Sequence, residues 1–275
     1  MRFAICNEIY QGWTLEDALA HAARTGYDGV ELAPFTLAES VTDLGPTDRR
    51  RIRDLAARNG LAVVGLHWLL VKPEGLHLNH PDPALRQRTG RYFVELVRCC
   101  ADLGGRVLVL GSPKQRSLQP GVSREQAWEW TRATLQDAVR EAEERAVILC
   151  IEPLSPAETN FLNTAAEAIA FAQSFASPAC RIILDVKAMC AEDRPIPDII
   201  RSSWPHFVHF HANDRNLKGP GFGDVDYRPI AAALHEVGYD GYVSVEVFKF
   251  DEGAEEIARR SLEYLRETFG EPRKG

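Results

Sequence analysis

The chain has 275 residues, with 32 basic and 39 acidic side chains and a net charge of −7. That balance lacks the basic footprint by which a nucleic-acid binder grips phosphates, so no nucleic-acid partner is expected. The composition, 45% hydrophobic and 26% charged, is that of a soluble globule with a sizeable core, and the length suits one large α/β domain over 1–275.

The opening run Met1-Arg2-Phe3-Ala4-Ile5-Cys6-Asn7 is too short an apolar stretch for a signal peptide or a membrane span. A cytoplasmic protein with no membrane partner is therefore expected. From there the pattern alternates strand and helix to the end of the chain. Strands are predicted over 2–6, 29–33, 61–67, 106–111, 147–152, 181–185, 206–211 and 242–247. Between them apolar residues recur at helical spacing, as in Leu15, Ala18, Leu19 and Ala22, and in Leu135, Ala138, Val139 and Ala142. Several helix-to-strand junctions share one grammar, Gly26-Tyr27-Asp28-Gly29 and Gly238-Tyr239-Asp240-Gly241 being the clearest. Glycine there ends a helix in the left-handed conformation and turns the chain into the next strand. Repeated crossover helices imply parallel strands, and eight units suggest a closed (β/α)8 barrel with its site at the C-terminal strand ends. An open doubly wound sheet is the alternative, but no GxGxxG follows the first strand.

The barrel reading directs attention to Asn7, Glu31, His67, Trp68, Glu152, Asp185, His211 and Glu246, which end strands or directly follow them. The last four are separated by 33, 26 and 35 positions (185−152, 211−185, 246−211), and each gap fits one strand-plus-helix unit. On neighbouring parallel strands these side chains emerge together, and three carboxylates with one imidazole suit Mn²⁺ or Mg²⁺ better than a thiolate-preferring ion. The bland alternative is four unrelated polar residues closing buried strands. His209, two before His211, shares its face one layer deeper and reads as structural, hydrogen-bonded beneath the site. Loops contribute Glu158, Lys187, Asn213, Asp214, Arg215 and Lys218; Lys218 reads as a solvated charge. The glycine-rich run 219–226 lacks a GK[ST] ending, so it reads as a rim loop with Asp226 capping the next helix rather than as a phosphate cradle. Trp128 and Trp130 read as packing or interface residues. The six cysteines show no CxxC and read as reduced thiols, mostly in the core. Cys6, near the end of the first strand, is either one of these or a ligand contact.

Over essentially its whole length the chain resembles the xylose-isomerase-like TIM barrel superfamily, within it the group of ketose 3-epimerases, hydroxypyruvate isomerases and inosose dehydratases. The resemblance is carried by Ile151-Glu152-Pro153, Glu158, Asn163-Thr164, Leu184-Asp185, His209-Phe210-His211, Gly221-Phe222-Gly223-Asp224-Val225-Asp226, and Gly238-Tyr239-Asp240-Gly241 leading to Glu246. It implies that Glu152, Asp185, His211 and Glu246 bind one divalent metal, Mn²⁺ foremost, with Mg²⁺ or Co²⁺ as alternatives. It further implies substrate contacts from Glu158 and Arg215, and a homodimer or homotetramer. His67, Trp68, Lys187 and Cys6 complete the expected substrate-binding set. One departure stands out: the family's Asp-x-x-His reads here Asp185-Val186-Lys187-Ala188, with alanine in the place of a histidine that contacts substrate oxygens.

What these residues would do is isomerase chemistry on a ketose or keto-polyol. A divalent ion at a carbonyl and its neighbouring hydroxyl stabilises the enediolate left when the adjacent carbon-bound proton departs. Glu152 and Glu246 would act as the acid/base pair, giving epimerisation, or isomerisation if the proton returns to the neighbouring carbon. Expulsion of a β-hydroxyl instead would make the protein a dehydratase, a lyase. Endonuclease IV shares the barrel, but its phosphodiester chemistry needs histidines that are absent here at positions 188 and 226.

Overall fold

A computed structural model describes residues 1–270. The expected 1–275 span therefore includes residues 271–275, which lie outside those described.

Eight strands alternate with helices: β1 (Arg2–Cys6), β2 (Gly29–Leu32), β3 (Ala62–Leu66), β4 (Val107–Leu110), β5 (Ile148–Ile151), β6 (Cys180–Asp185), β7 (Phe207–Ala212) and β8 (Tyr242–Val245). The helices are α1 (Leu15–Thr25), α2 (Pro46–Arg58), α3 (Pro83–Asp102), α4 (Pro113–Arg116), α5 (Arg124–Arg145), α6 (Ala165–Gln173), α7 (Val186–Met189), α8 (Ile196–Ser203), α9 (Tyr227–Glu236) and α10 (Ala254–Phe269). All neighbouring strands are parallel, and β8 pairs back onto β1, closing the barrel. Pairing alone leaves no strand edge exposed, as the run of crossover units predicts. The short helices α4 and α7 sit directly after β4 and β6, at the mouth of the barrel.

Local chemistry explains the ends of the elements. Thr14, Ser123 and Thr164 each accept a hydrogen bond from a first-turn amide of α1, α5 and α6. Asp226 accepts from the Arg228 amide and caps α9, as expected for the rim loop. Gly26 ends α1 at φ = 103°, a left-handed conformation open to glycine, so Tyr27 can enter the core.

Side-chain alternation along the strands builds two layers. Phe3, Ile5, Leu149, Ile151, Ile182 and Leu184 pack outward beneath the helices. Ala4, Val64, Val107, Val109, Cys150 and Ile183 fill the barrel's interior. Because the period is two, the inward residue after Cys150 is Glu152, and the one after Ile183 is Asp185. The apolar plug of the barrel thus continues into polar side chains toward its C-terminal mouth. Among the described residues no helix is long and apolar enough to cross a membrane, and all six cysteines are free.

Candidate metal centre and cleft

Glu152, Asp185, His211 and Glu246 offer ligand atoms that all lie within 4.8 Å of one another, and all four residues are buried. Strand register brings them together. Asp185 pairs with His211 across β6 and β7, and the amide of Glu246 donates to the Ala212 carbonyl at 3.2 Å. Glu152 follows β5, its amide donating to Leu110 at 3.1 Å. Gly111 completes the fit: a Cβ built there would stand 2.3 Å from Glu152 Oε2, so only glycine leaves room for the carboxylate.

The electrostatics are those of a donor set facing a cation. Burial pushes the Asp185 carboxyl up to about 7, with the charges of Glu152 and Glu246 adding to the effect. Burial also raises Glu152, reinforced by Glu246. On Glu246 burial acts in the same direction, but the charge and hydrogen bond of His211 outweigh it and hold this carboxyl at about 2. Three carboxylates crowded around one imidazole are costly without positive charge, and oxygen ligands with one imidazole fit a divalent ion of the Mn²⁺ or Mg²⁺ class.

His211 is aimed by a residue one layer below. Its Nδ1 lies 3.2 Å from Glu246 Oε2 and 3.8 Å from Glu152 Oε1, while its Nε2 lies 3.2 Å from Glu31 Oε2. Glu31 also takes His209 Nε2 at 2.6 Å, so His209 is hydrogen-bonded beneath the cluster. Burial opposes the charge of Glu31, yet the two histidines hold its carboxyl well below the usual range. A carboxylate on the far nitrogen leaves Nδ1 facing the cluster, the arrangement that fixes ring orientation at metal sites. On the reading that the cluster holds a divalent ion, Glu31→Gln should weaken binding of added Mn²⁺ by about 10–100-fold while Glu152, Asp185, His211 and Glu246 stay intact. Isothermal titration of the purified variant checks this, and unchanged affinity would remove Glu31 from the site's support.

The cluster opens into a cleft of about 520 Å³, lined among others by Trp68, Ser112, Lys114, Gln115, Glu152, Leu154, Glu158, Lys187, Glu246 and Phe248. Lys187 donates to Glu158 Oε1 at 2.5 Å, and its ammonium lies 4.1 Å over the Phe248 ring. Burial works against the charge on Lys187, but Asp185 and Glu158 keep its pKa above the ordinary value. The Lys187 amide donates to Asn213 Oδ1 at 2.7 Å, and Asn213 Nδ2 donates to Asp185 Oδ2 at 2.5 Å, so one asparagine ties the lysine's turn to the cluster. Ala188 is buried and does not line the cleft.

Three other expected contacts, Cys6, His67 and Arg215, are not among the residues lining this cleft, as Asp185 and His211 are not. Cys6 and His67 are fully buried and do not line the cleft. Burial pushes the Cys6 thiol up to about 11, and His67 Nε2 is engaged by Glu8 Oε2 at 2.7 Å. Arg215 is exposed on the loop after β7 and its guanidinium interacts with the Cys190 thiol rather than lining the cleft. Lys218 pairs with Glu252. Trp128 packs edge-on against Phe171, and Trp130 lies under the Arg86 guanidinium, both away from the cleft. Two buried residues carried no sequence signal. Glu8 joins His67 to the Val247 amide. Arg116 donates to the Glu152 carbonyl at 2.6 Å and to the Leu162 carbonyl, bracing the strand end that bears Glu152.

The profile of the xylose isomerase-like TIM barrel family matches residues 19–268. A D-psicose 3-epimerase of Ruminiclostridium cellulolyticum is 25% identical over 228 residues, 82% of this chain and 75% of that protein. An L-ribulose 3-epimerase of Mesorhizobium japonicum is 27% identical over 248 residues, 90% of this chain and 80% of that one. In three dimensions, the crystal structure of a D-psicose 3-epimerase in the presence of D-fructose matches with a TM-score of 0.85 at 23% identity, covering 98% of this chain and 100% of that one. Eight parallel strands closed into one barrel and a family match over most of its length lead to one assignment: the chain belongs to the xylose isomerase-like TIM barrel family.

Proposed function

We propose that this protein is a divalent-metal-dependent epimerase of a ketose or keto-polyol, and that it works by moving a proton at the carbon beside the carbonyl. The observation that carries this reading is the convergence of Glu152, Asp185, His211 and Glu246 beside a cleft that two of them line. The relatives named above are 3-epimerases of sugars, which agrees with it. Glu152, Asp185, His211 and Glu246 would hold the ion, Mn²⁺ by preference and Mg²⁺ or Co²⁺ as alternatives. Bound there, it would supply Lewis acidity to a substrate carbonyl and its neighbouring hydroxyl.

The chain's own residues account for the proton movements. Of the two cleft-lining carboxylates that belong to the cluster, Glu152 and Glu246, one takes the carbon-bound proton; the C–H electrons form the carbon–carbon double bond of an enediolate, and the carbonyl electrons pass to oxygen. The other carboxyl returns a proton on the opposite face, and the carbonyl re-forms. Atoms balance with no further reactant. Lys187 and Glu158, one donor and one acceptor held together, are suited to orient substrate hydroxyls, and Phe248, packed between Lys187 and Trp68, gives the cleft an apolar wall beside them. A panel of ketoses, 3-keto sugars and inososes incubated with Mn²⁺-loaded protein tests the reading. An epimer as product supports it, and a dehydrated product would make the protein a lyase.

The alanine at 188 bears on substrate choice. A histidine there would offer a ring nitrogen to a sugar oxygen; alanine offers none, and Lys187 from the same turn reaches into the cleft instead. Such a change redirects specificity and spares the metal chemistry. Weak turnover of free ketohexoses is expected, with better turnover of a bulkier or differently oxidised polyol. One recovered hydrogen bond is worth about 1 kcal/mol, so Ala188→His should raise kcat/KM for a free ketohexose roughly five-fold, and Lys187→Ala should lower it for the preferred substrate. A wild type that already prefers a free ketohexose, unmoved by Ala188→His, would contradict this.

A further inference from the structure

Trp68 stands two residues past the end of β3 in a conformation few bulky residues adopt, with φ = 50°. Its ring lies between two others, stacked on Phe35 at 6.0 Å and 19° and on Phe248 at 5.6 Å and 25°. From that clamp the indole Nε1 donates to Glu246 Oε1 at 2.7 Å. The other oxygen of the same carboxylate, Oε2, faces His211 Nδ1 at 3.2 Å. Both oxygens of Glu246 are therefore held from outside the carboxylate: one by the ligand cluster, the other by the indole.

We propose, on the reading of Glu246 as one of the two proton-transfer carboxylates, that Trp68 is a positioning residue that presents Glu246 Oε1 to the substrate. The division of labour follows from the bonds. Oε2 belongs to the ligand side, so the proton must pass through Oε1, and a carboxylate held by only one oxygen would swing about its last torsion. An indole suits the task. It donates one hydrogen bond and accepts none, so it cannot compete for the transferred proton, and it leaves Oε1 a free lone pair. The left-handed backbone and the two flanking rings show where the energy of ordering is placed: the surroundings fix the indole before any substrate arrives. Glu152, whose side chain receives no bond from Trp68, should not depend on it. The two carboxylates are thus supported differently, and loss of the indole N–H should separate the two directions of proton transfer.

The cleanest test replaces only that N–H. Wild type, Trp68→Phe and a variant carrying benzothienylalanine at 68, which keeps the ring shape and puts sulfur in place of the N–H, are compared on the panel compound that wild type exchanges fastest. Deuterium uptake from D₂O is followed from each of its two epimers. Misplacement of a reacting group by about 1 Å costs about 100-fold. Uptake starting from the epimer whose proton Glu246 removes should therefore fall about 100-fold in kcat, with KM within a few-fold of wild type. Uptake starting from the other epimer, whose proton Glu152 removes, should be far less affected. Unchanged exchange in the benzothienylalanine protein, or an equal loss from both epimers, would overturn the assignment of Trp68 and leave the epimerase reading standing. If wild type exchanges no compound of the panel, the epimerase reading falls, and the role of Trp68 falls with it.

Discussion

Glu152→Gln and Glu246→Gln should each stop proton exchange at the substrate carbon while leaving the barrel folded. Each substitution keeps the shape of the side chain and an oxygen that can still face a cation, but removes the group that carries the proton. A positioned acid or base contributes about 10²–10⁴-fold in rate, so a loss of that order in exchange is expected for either variant. Both side chains are buried, and exchanging carboxylate for amide relieves charge crowding among three acids. Thermal stability should hold or rise for Glu152→Gln, whose carboxyl burial raises, and should fall for Glu246→Gln, whose carboxylate is stabilised by His211 and accepts from Trp68. Circular dichroism together with a deuterium-exchange assay checks the pair. Exchange at the wild-type rate in a folded variant would show that the carboxylate removed is not a base.

The second large effect concerns Asp185 and His211, the proposed ligands that take no part in moving the proton. Asp185→Ala and His211→Ala should each reduce Mn²⁺ affinity by more than the Glu31 variant does, and so by at least about 100-fold, because a ligating atom is lost rather than its support. Activity should fall with occupancy and partly recover at high Mn²⁺. The Asp185 variant carries a second cost. Its carboxylate accepts from the Ala188 amide at 2.7 Å and from Asn213 at 2.5 Å, so its loss leaves two buried donors unpaired. A lower melting temperature is expected for Asp185→Ala than for Asp185→Asn. Metal titration by calorimetry alongside thermal melts distinguishes the two effects. Full affinity in His211→Ala would show that the four side chains are not one ligand set.

How much of this was legible in the sequence depends on the residue. The barrel was readable because eight apolar runs alternate with helical patterns, several of the helix ends turn on glycine, and several of the runs close on a polar residue. The four-residue cluster was readable for the same reason: Glu152, Asp185, His211 and Glu246 interrupt those runs at strand ends, and parallel register does the rest. The depth of a strand-end side chain was not readable. Glu31 and His67 look in sequence like Glu152, yet each is fully buried and engaged, by His209 and His211 in one case and by Glu8 in the other. Period-two alternation sets the face of a side chain but not its height along the barrel axis, because strand stagger sets that. Glu8 and Arg116 were invisible because their roles depend on partners far along the chain, Val247 at 239 residues and Leu162 at 46. Phe248 was missed because an aromatic residue two past a strand-end glutamate carries no pattern of its own. Its place between Lys187 and Trp68 exists only in three dimensions.

The most direct measurement of the central claim is the position of deuterium in sugar recovered from Mn²⁺-loaded wild type in D₂O, read by NMR across the substrate panel. Proton transfer by two carboxylates beside a carbonyl predicts deuterium at one carbon adjacent to the carbonyl in both epimers, lost on chelation and restored by adding Mn²⁺ back. Epimer formed with no deuterium at that carbon, or exchange that persists after the metal is removed, would contradict it.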